Sequence, residues 1–409
     1  MRRRFGRIRV RTGTAIAVCL GILIGLSGCW DQKEMNQLAI INMLGIDKHP
    51  DDPTLEYYYQ TINPSGFGSK QGGGTISPVY TYKVVGKVPH ASSTYEVSDI
   101  LPRQVFPEHL QAIVLSETFA RNPKRMTVLL NSYELQMNRR ANVDLVITNS
   151  PMSSVMNTYV PFEKIPGKSL TQIIDIQAKG SARAVQRSRF KDLIEHTAST
   201  KATVINAIRV YDPKTDRTTK NLEKIDAYRQ SFVLDGGAVF VKDRMVGKMS
   251  INDIKWYAFL TGNADAFLQP LAPEGYSIEV EAGHVKVKKS FKLANGAPAL
   301  DFHITAELRM RSNNLPRQMG KDTLHLIEKA FNETAEKEAV AFINMAAAKR
   351  WDVLGLQDQI AYKRAAAWKK ALAKDPALWT KTRYEVKVQS NLVTGGMLTK
   401  PYLLHYKEE

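Results

Sequence analysis

The sequence predicts an α+β fold of three dissimilar mixed α/β units, the last an antiparallel sheet covered by a long helix. Three observations carry this. Short alternating or wholly apolar stretches are interleaved with helix-like ones over much of the chain, as in strands between helices. Ile278, Val280 and Ala282, then Val285, Val287 and Phe291, then Phe302, Ile304, Ala306, Leu308 and Met310, recur with period two. Finally, Leu324, Ile327, Phe331, Ala335, Ala339, Phe342 and Ala346 recur at three- and four-residue spacing, which predicts one amphipathic helix over 322–350. At 1.5 Å per residue that helix is roughly 43 Å long, enough to cover a sheet.

In chain order, residues 1–28 read as a leader. Arg2, Arg3, Arg4, Arg7, Arg9 and Arg11 precede an apolar run over 14–26, about thirteen residues, which suits a signal-peptide core and is short for a membrane span. Leu26-Ser27-Gly28-Cys29 ends it, an aliphatic residue and two small ones before a cysteine. This is the pattern of a lipoprotein processing site, in which the Cys29 thiol takes a diacylglycerol and cleavage leaves Cys29 as the new N-terminus. Two or more acyl chains hold a protein stably on a bilayer, so the expected location is a membrane surface. The competing reading is an uncleaved anchor helix, against which Gly21, Gly25, Ser27 and Gly28 weigh.

The first unit is expected over 29–200. Residues 38–46 and 55–61 read as strands, and 63–78, rich in Gly, Ser and Pro, as a mobile loop before a strand over 80–88. A helical segment over 95–101, a strand over 111–115, a helix through 132–137 and a buried strand over 143–148 follow, then helical stretches over 169–189 and 190–198. The second unit, 201–274, reads as a strand over 203–210, a turn at Asp212-Pro213, strand-turn-strand over 231–249, and a helix over 252–260 stopped by Gly262. The third, 275–409, holds the three alternating stretches, the long helix, a second helix through 362–373, and a strand marked by Tyr384, Val386 and Val388.

Composition bounds the chemistry. The net charge of +17 falls to about +11 without the six leader arginines, a balance suited to anionic head groups near a bilayer; nucleic-acid binding is the competing reading of such charge. Of two cysteines, Cys19 lies in the leader and Cys29 carries the lipid. No thiol remains for a disulfide, a Cys-held metal or a nucleophile, so the 44% of hydrophobic residues must supply the stability.

Catalytic patterns are missing. Gly167-Lys168-Ser169 resembles the end of a phosphate loop, but that pattern needs glycine where Phe162 stands. Gly66-Phe67-Gly68 lacks the third glycine of a dinucleotide loop. Of eight histidines none are paired at helical metal-site spacing; His284 and His303 could approach across adjacent strands, where a surface pair is favoured over a metal site. No Gly-x-Ser-x-Gly elbow occurs. Lys349, Arg350, Lys363, Arg364, Lys369, Lys370 and Lys374 form a basic cluster, readable either as a solvated helix face or as a contact with acidic lipid or an acidic partner. No catalytic, cofactor-binding or metal residue is assigned; the single assigned site is lipidation at Cys29.

Just past the lipid site, Cys29-Trp30-Asp31, Glu34-Met35-Asn36, Leu38-Ala39-Ile40 and Gly45-Ile46-Asp47 resemble the start of the Ger(x)C family of spore germination lipoproteins. The likeness continues through Val114-Leu115-Ser116-Glu117, Asn138-Arg139-Arg140-Ala141, Asp235-Gly236-Gly237-Ala238-Val239-Phe240, Val246-Gly247 and Leu260-Thr261-Gly262. It ends with Trp351-Asp352-Val353-Leu354-Gly355-Leu356 and Trp368-Lys369-Lys370. The resemblance implies a three-domain α+β lipoprotein on the outer face of the spore inner membrane. It would be a non-enzymatic germinant receptor subunit, without cofactor or metal, partnered by membrane lipid through Cys29 and by two integral membrane subunits, one permease-like. The alternative is a solute-binding lipoprotein serving a transporter, which usually has two similar lobes around a cleft; here no unit repeats another.

Overall fold

The computed structural model describes residues 34–48, 54–67, 77–86, 91–134, 142–186, 188–214, 217–223, 227–294, 297–316, 319–375 and 377–394. Nine strands make the first sheet: β1 (Leu38–Lys48), β2 (Leu55–Ile62), β3 (Val79–Gly86), β4 (Gln104–Phe106), β5 (Ala112–Ser116), β6 (Asp144–Thr148), β7 (Thr203–Val210), β8 (Phe232–Val241) and β9 (Arg244–Met249). Their order is β3-β2-β1-β5-β6-β7-β8-β9, with β4 beside the start of β1. β1, β5, β6 and β7 run parallel at the centre, and the flanking pairs are antiparallel.

Parallel strands need crossovers and two covered faces, and their sequences read as continuous apolar runs. β5, Ala-Ile-Val-Leu-Ser, is buried throughout for that reason. Its Ile113 and Leu115 join one core with Phe119 of α2 (Glu117–Ala120), Met126 and Leu129 of α3 (Pro123–Glu134), Leu193 of α6 (Phe190–Thr197) and Val97 of α1 (Ala91–Ser98). Its Ala112 and Val114 face the other core, with Met152 and Val155 of α4 (Met152–Met156) and Leu170 and Ile174 of α5 (Pro166–Ser181). β7, β8 and β9 come from the stretch expected to open a separate middle unit, yet β7 pairs parallel with β6 through Val146–Asn206 and Ile147–Ala207. The first sheet thus continues past residue 200. Of the expected loop over 63–78, residues 68–76 lie outside the described residues.

The remainder comprises α7 (Ile251–Thr261), β10 (Ala266–Leu271), β11 (Ile278–Ala294), β12 (Ala297–Asn313), α8 (Lys321–Ala348), α9 (Leu356–Lys374) and β13 (Arg383–Thr394), with sheet order β10-β11-β12-β13. Two corrections to the sequence reading arise. The three alternating stretches are two long strands, because 278–294 continues through a register shift at Gly283–Lys286. The sheet is antiparallel over β10, β11 and β12, but β13 runs parallel to β12. The cause is the helical crossover, which returns the chain to the end of the sheet from which β12 began.

The long helix covers the sheet as expected, burying Ile327, Phe331, Ala335, Ala339, Phe342 and Ala346. It also shields β13 at the sheet edge: the Val388 N–H donates to Glu336 Oε1 and the Leu392 N–H to Glu328 Oε1, each at 2.8 Å. Open edge N–H groups invite another strand; here carboxylates occupy two of them. A shared core of Val204, Val239 and Met249 with Phe259, Phe302, Phe331 and Leu354 joins the two sheets.

One half-buried carboxylate is expected to make the fold pH-sensitive. At the start of β6, burial and then the nearby Asp175 push Asp144 up to about 6, against the pull of Arg189. Because the folded value exceeds the unfolded one, this stabilisation is complete below about pH 4 and is lost as pH rises through about 6. Asp144→Asn is expected to raise stability by about 2 kcal/mol at pH 7 and to flatten the pH 4 to 6 limb of melting temperature against pH. An unchanged limb would refute the assignment.

Candidate functional site

Three of the motifs in the family resemblance, Asp235-Gly236-Gly237, Val246-Gly247 and Trp351–Leu356, come together where the two sheets meet. Trp351, 7% exposed, lies against β9 so closely that a Cβ on Gly247 would stand 2.2 Å from its Cζ2. Lys349 holds its ammonium 4.5 Å from the centre of the same ring. Asp352, 3% exposed, accepts the Leu356 N–H at Oδ1 (2.7 Å) and the Gln357 N–H at Oδ2 (3.0 Å). A carboxylate at a helix N-terminus satisfies otherwise unpaired donors and meets the positive end of the helix dipole. Burial pushes the Asp352 carboxyl up, and these two N–H groups oppose the shift. Its carbonyl accepts the Ala202 N–H at 3.0 Å, and Asp358 accepts the Ser199 and Thr200 hydroxyls. The start of α9 is therefore tied to the segment leading into β7.

Asp235-Gly236-Gly237 serves the same region. Gly236 has φ +80°, and a Cβ there would lie 1.9 Å from the Met249 carbonyl oxygen. One residue on, a Gly237 Cβ would meet Ile254 Cδ1 and Val204 Cγ1 at 2.7 Å, so these glycines let α7 approach β7 and β8. Asp235 pairs with Lys248 on β9.

The other candidates have structural explanations. Pro166-Gly167 opens α5; Gly167 sits against Asn42, its N–H faces Gln60 Oε1 at 3.4 Å, Lys168 pairs with Glu163, and the Ser169 hydroxyl donates to the Pro166 carbonyl. None is arranged around a phosphate. His284 and His303 do not meet: His303 is opposite Lys288, whereas His284 Nδ1 lies 2.7 Å from Glu307 Oε2. The register shift between Gly283 and Lys286 separates them. No group of three or more His, Cys, Asp or Glu suited to a metal occurs among the described residues.

On α9, Trp368 is buried with Ile360 and Trp379, while Lys369, Lys370 and Lys374 are exposed and lack ion-pair partners among the described residues. Tyr362, 91% exposed, lies on the same outward side. Cys29, Trp30-Asp31 and Asn138-Arg139-Arg140-Ala141 lie outside the described residues. No described helix is long and apolar enough to cross a membrane.

Two family profiles match the chain, "Spore germination protein N-terminal domain" over residues 31–210 and "Spore germination B3/ GerAC like, C-terminal" over 235–396. The chain belongs to the Ger(x)C family of spore germination proteins. Spore germination protein KC of Bacillus subtilis (strain 168) is 24% identical, over 97% of this chain and 98% of its own length. Spore germination protein B3 of the same organism is 21% identical over 96% and 100%. The crystal structure of the GerBC protein shares the fold, with TM-score 0.54 and 17% identity over 86% of this chain and 96% of that one. Membership supports a role for this Ger(x)C protein in spore germination.

Proposed function

We propose that this protein is a lipid-anchored, non-enzymatic subunit of a nutrient germinant receptor. Acylated Cys29 would hold it on the outer face of the spore inner membrane beside two integral membrane subunits, one of them permease-like. The observation that carries this reading is Leu26-Ser27-Gly28-Cys29 placed directly before a chain that matches the family from residue 31 to residue 396. The anchor is needed because the exposed lysines of the body contribute only about 1 kcal/mol each near an anionic surface, whereas acyl chains contribute ~0.8 kcal/mol per buried methylene.

The test is Cys29→Ala in spores of the native host. The variant is expected in the soluble fraction, with the nutrient response reduced at least tenfold. The unmodified protein captured from spore membranes is expected to retain a permease-like subunit. A variant that stays in the membrane pellet would overturn the anchor; capture without such a subunit would overturn the receptor assignment.

A further inference from the structure

With Cys29 acylated as proposed above, the chain enters its first sheet close to the bilayer. Glu34, the first described residue, follows Cys29 by five positions, a reach of at most about 18 Å for a fully extended chain. β1 then starts at Leu38, and β5, β6 and β7 run parallel to it. All four strands therefore begin at the end of the sheet nearest the lipid.

The helix α9 begins at that same end. The Ser199 and Thr200 hydroxyls, at the entry to β7, donate to Asp358 in its first turn, and β7 lies three strand spacings from β1, about 14 Å. From there the helix holds Ile360 and Trp368 against the body. It turns Tyr362, Ala366, Lys369, Lys370, Ala373 and Lys374 outward, a stripe at three- and four-residue spacing.

Charge on this helix has one sign. Residues 359–374 hold five basic side chains and no acidic one. Asp358 before them is engaged by Ser199 and Thr200, and Asp375 after them pairs with Lys381. A merely solvated helix face ordinarily mixes signs, as α8 does with Lys329 and Glu333, whereas a basic amphipathic helix is the pattern of a membrane-surface contact. Lysine ammoniums are compact, well-hydrated point charges, which suit a diffuse layer of anionic head groups better than a fixed pocket. An exposed tyrosine such as Tyr362 suits the head-group level. We propose that, on the chain acylated at Cys29, the outward face of α9 rests on the anionic membrane surface and sets the orientation of the body above it. Each lysine there shifts the balance between docked and free orientations about fivefold. That is weak for a protein in free solution but decisive once the anchor has made the contact intramolecular.

The experiment uses the full-length lipidated protein in vesicles of phosphatidylcholine, with and without phosphatidylglycerol. Cys19 leaves with the leader and the Cys29 thiol is occupied, so Ala366→Cys on the outward stripe and Lys214→Cys beyond the opposite end of β7 each give a single site for a fluorophore. A quencher on the lipid head groups is expected to dim position 366 about threefold more than position 214 in anionic vesicles. That excess should vanish in phosphatidylcholine alone, at high salt, and with Lys369→Glu, Lys370→Glu and Lys374→Glu combined. The lipid and salt comparisons keep the native lysines, so they decide if the triple variant does not fold. Equal dimming at the two positions, or an excess that charge reversal leaves unchanged, overturns the proposal. Protection of position 366 only when other receptor subunits are present overturns it too, and assigns the helix to an acidic protein partner. Flotation with phosphatidylcholine vesicles reads the anchor by itself. A chain that floats there without an excess at position 366 in anionic vesicles loses the docking face and keeps the anchor; one that fails to float loses both.

Discussion

Gly236→Ala is expected to be among the most damaging single-methyl additions in the described structure, lowering stability by ~3 kcal/mol or more. Two effects combine there. At φ +80° an L side chain is strained, and the new Cβ would lie 1.9 Å from the Met249 carbonyl oxygen. That atom is backbone, held in β9 by the Gly237–Met249 pairing, so no side chain can swing away to relieve the clash. Gly275 separates the two effects, since its φ is +84° and nothing lies within 4 Å of its Cβ position. Gly275→Ala should therefore cost only the conformational part, about 1 kcal/mol. Denaturation midpoints of the two variants provide the measurement. Equal losses would show that the Met249 contact is not what excludes a side chain at Gly236.

That glycine illustrates which features were legible in the sequence. The strand through Asp235-Gly236-Gly237 was expected from its apolar pattern, and the motif from family resemblance. The reason for the glycine lies on β9 and α7, in contacts that no local pattern encodes. Local periodicity placed β7 at residues 203–210 as observed, and marked the buried face of α8, because each depends on one element's own spacing. Pairing was harder to read. β7 joins the first sheet through β6, some sixty residues earlier, and β13 turns parallel because two helices intervene. Partner choice depends on the whole chain, whereas the side-chain alternation is the same in either direction.

Asp352→Ala is expected to cost about 3 kcal/mol and to loosen the junction of the two sheets. The substitution leaves the Leu356 and Gln357 N–H groups, now bonded at 2.7 and 3.0 Å, without acceptors at a buried turn. Each such loss costs about 1 to 3 kcal/mol, and loss of the helix cap overlaps with this cost. The turn cannot readily find another solution, because Gly355 is already left-handed at φ +64° and Trp351 is wedged against Gly247. Asp352→Asn keeps one acceptor in place and should recover part of the loss. The cost should appear locally as well as globally: amides at the start of α9, and Ala202, which donates to the Asp352 carbonyl, should exchange hydrogen faster than those in the middle of α8. Faster exchange confined to α9 would show that Asp352 caps the helix without tying it to β7. Protection unchanged at both places would remove Asp352 from the junction altogether.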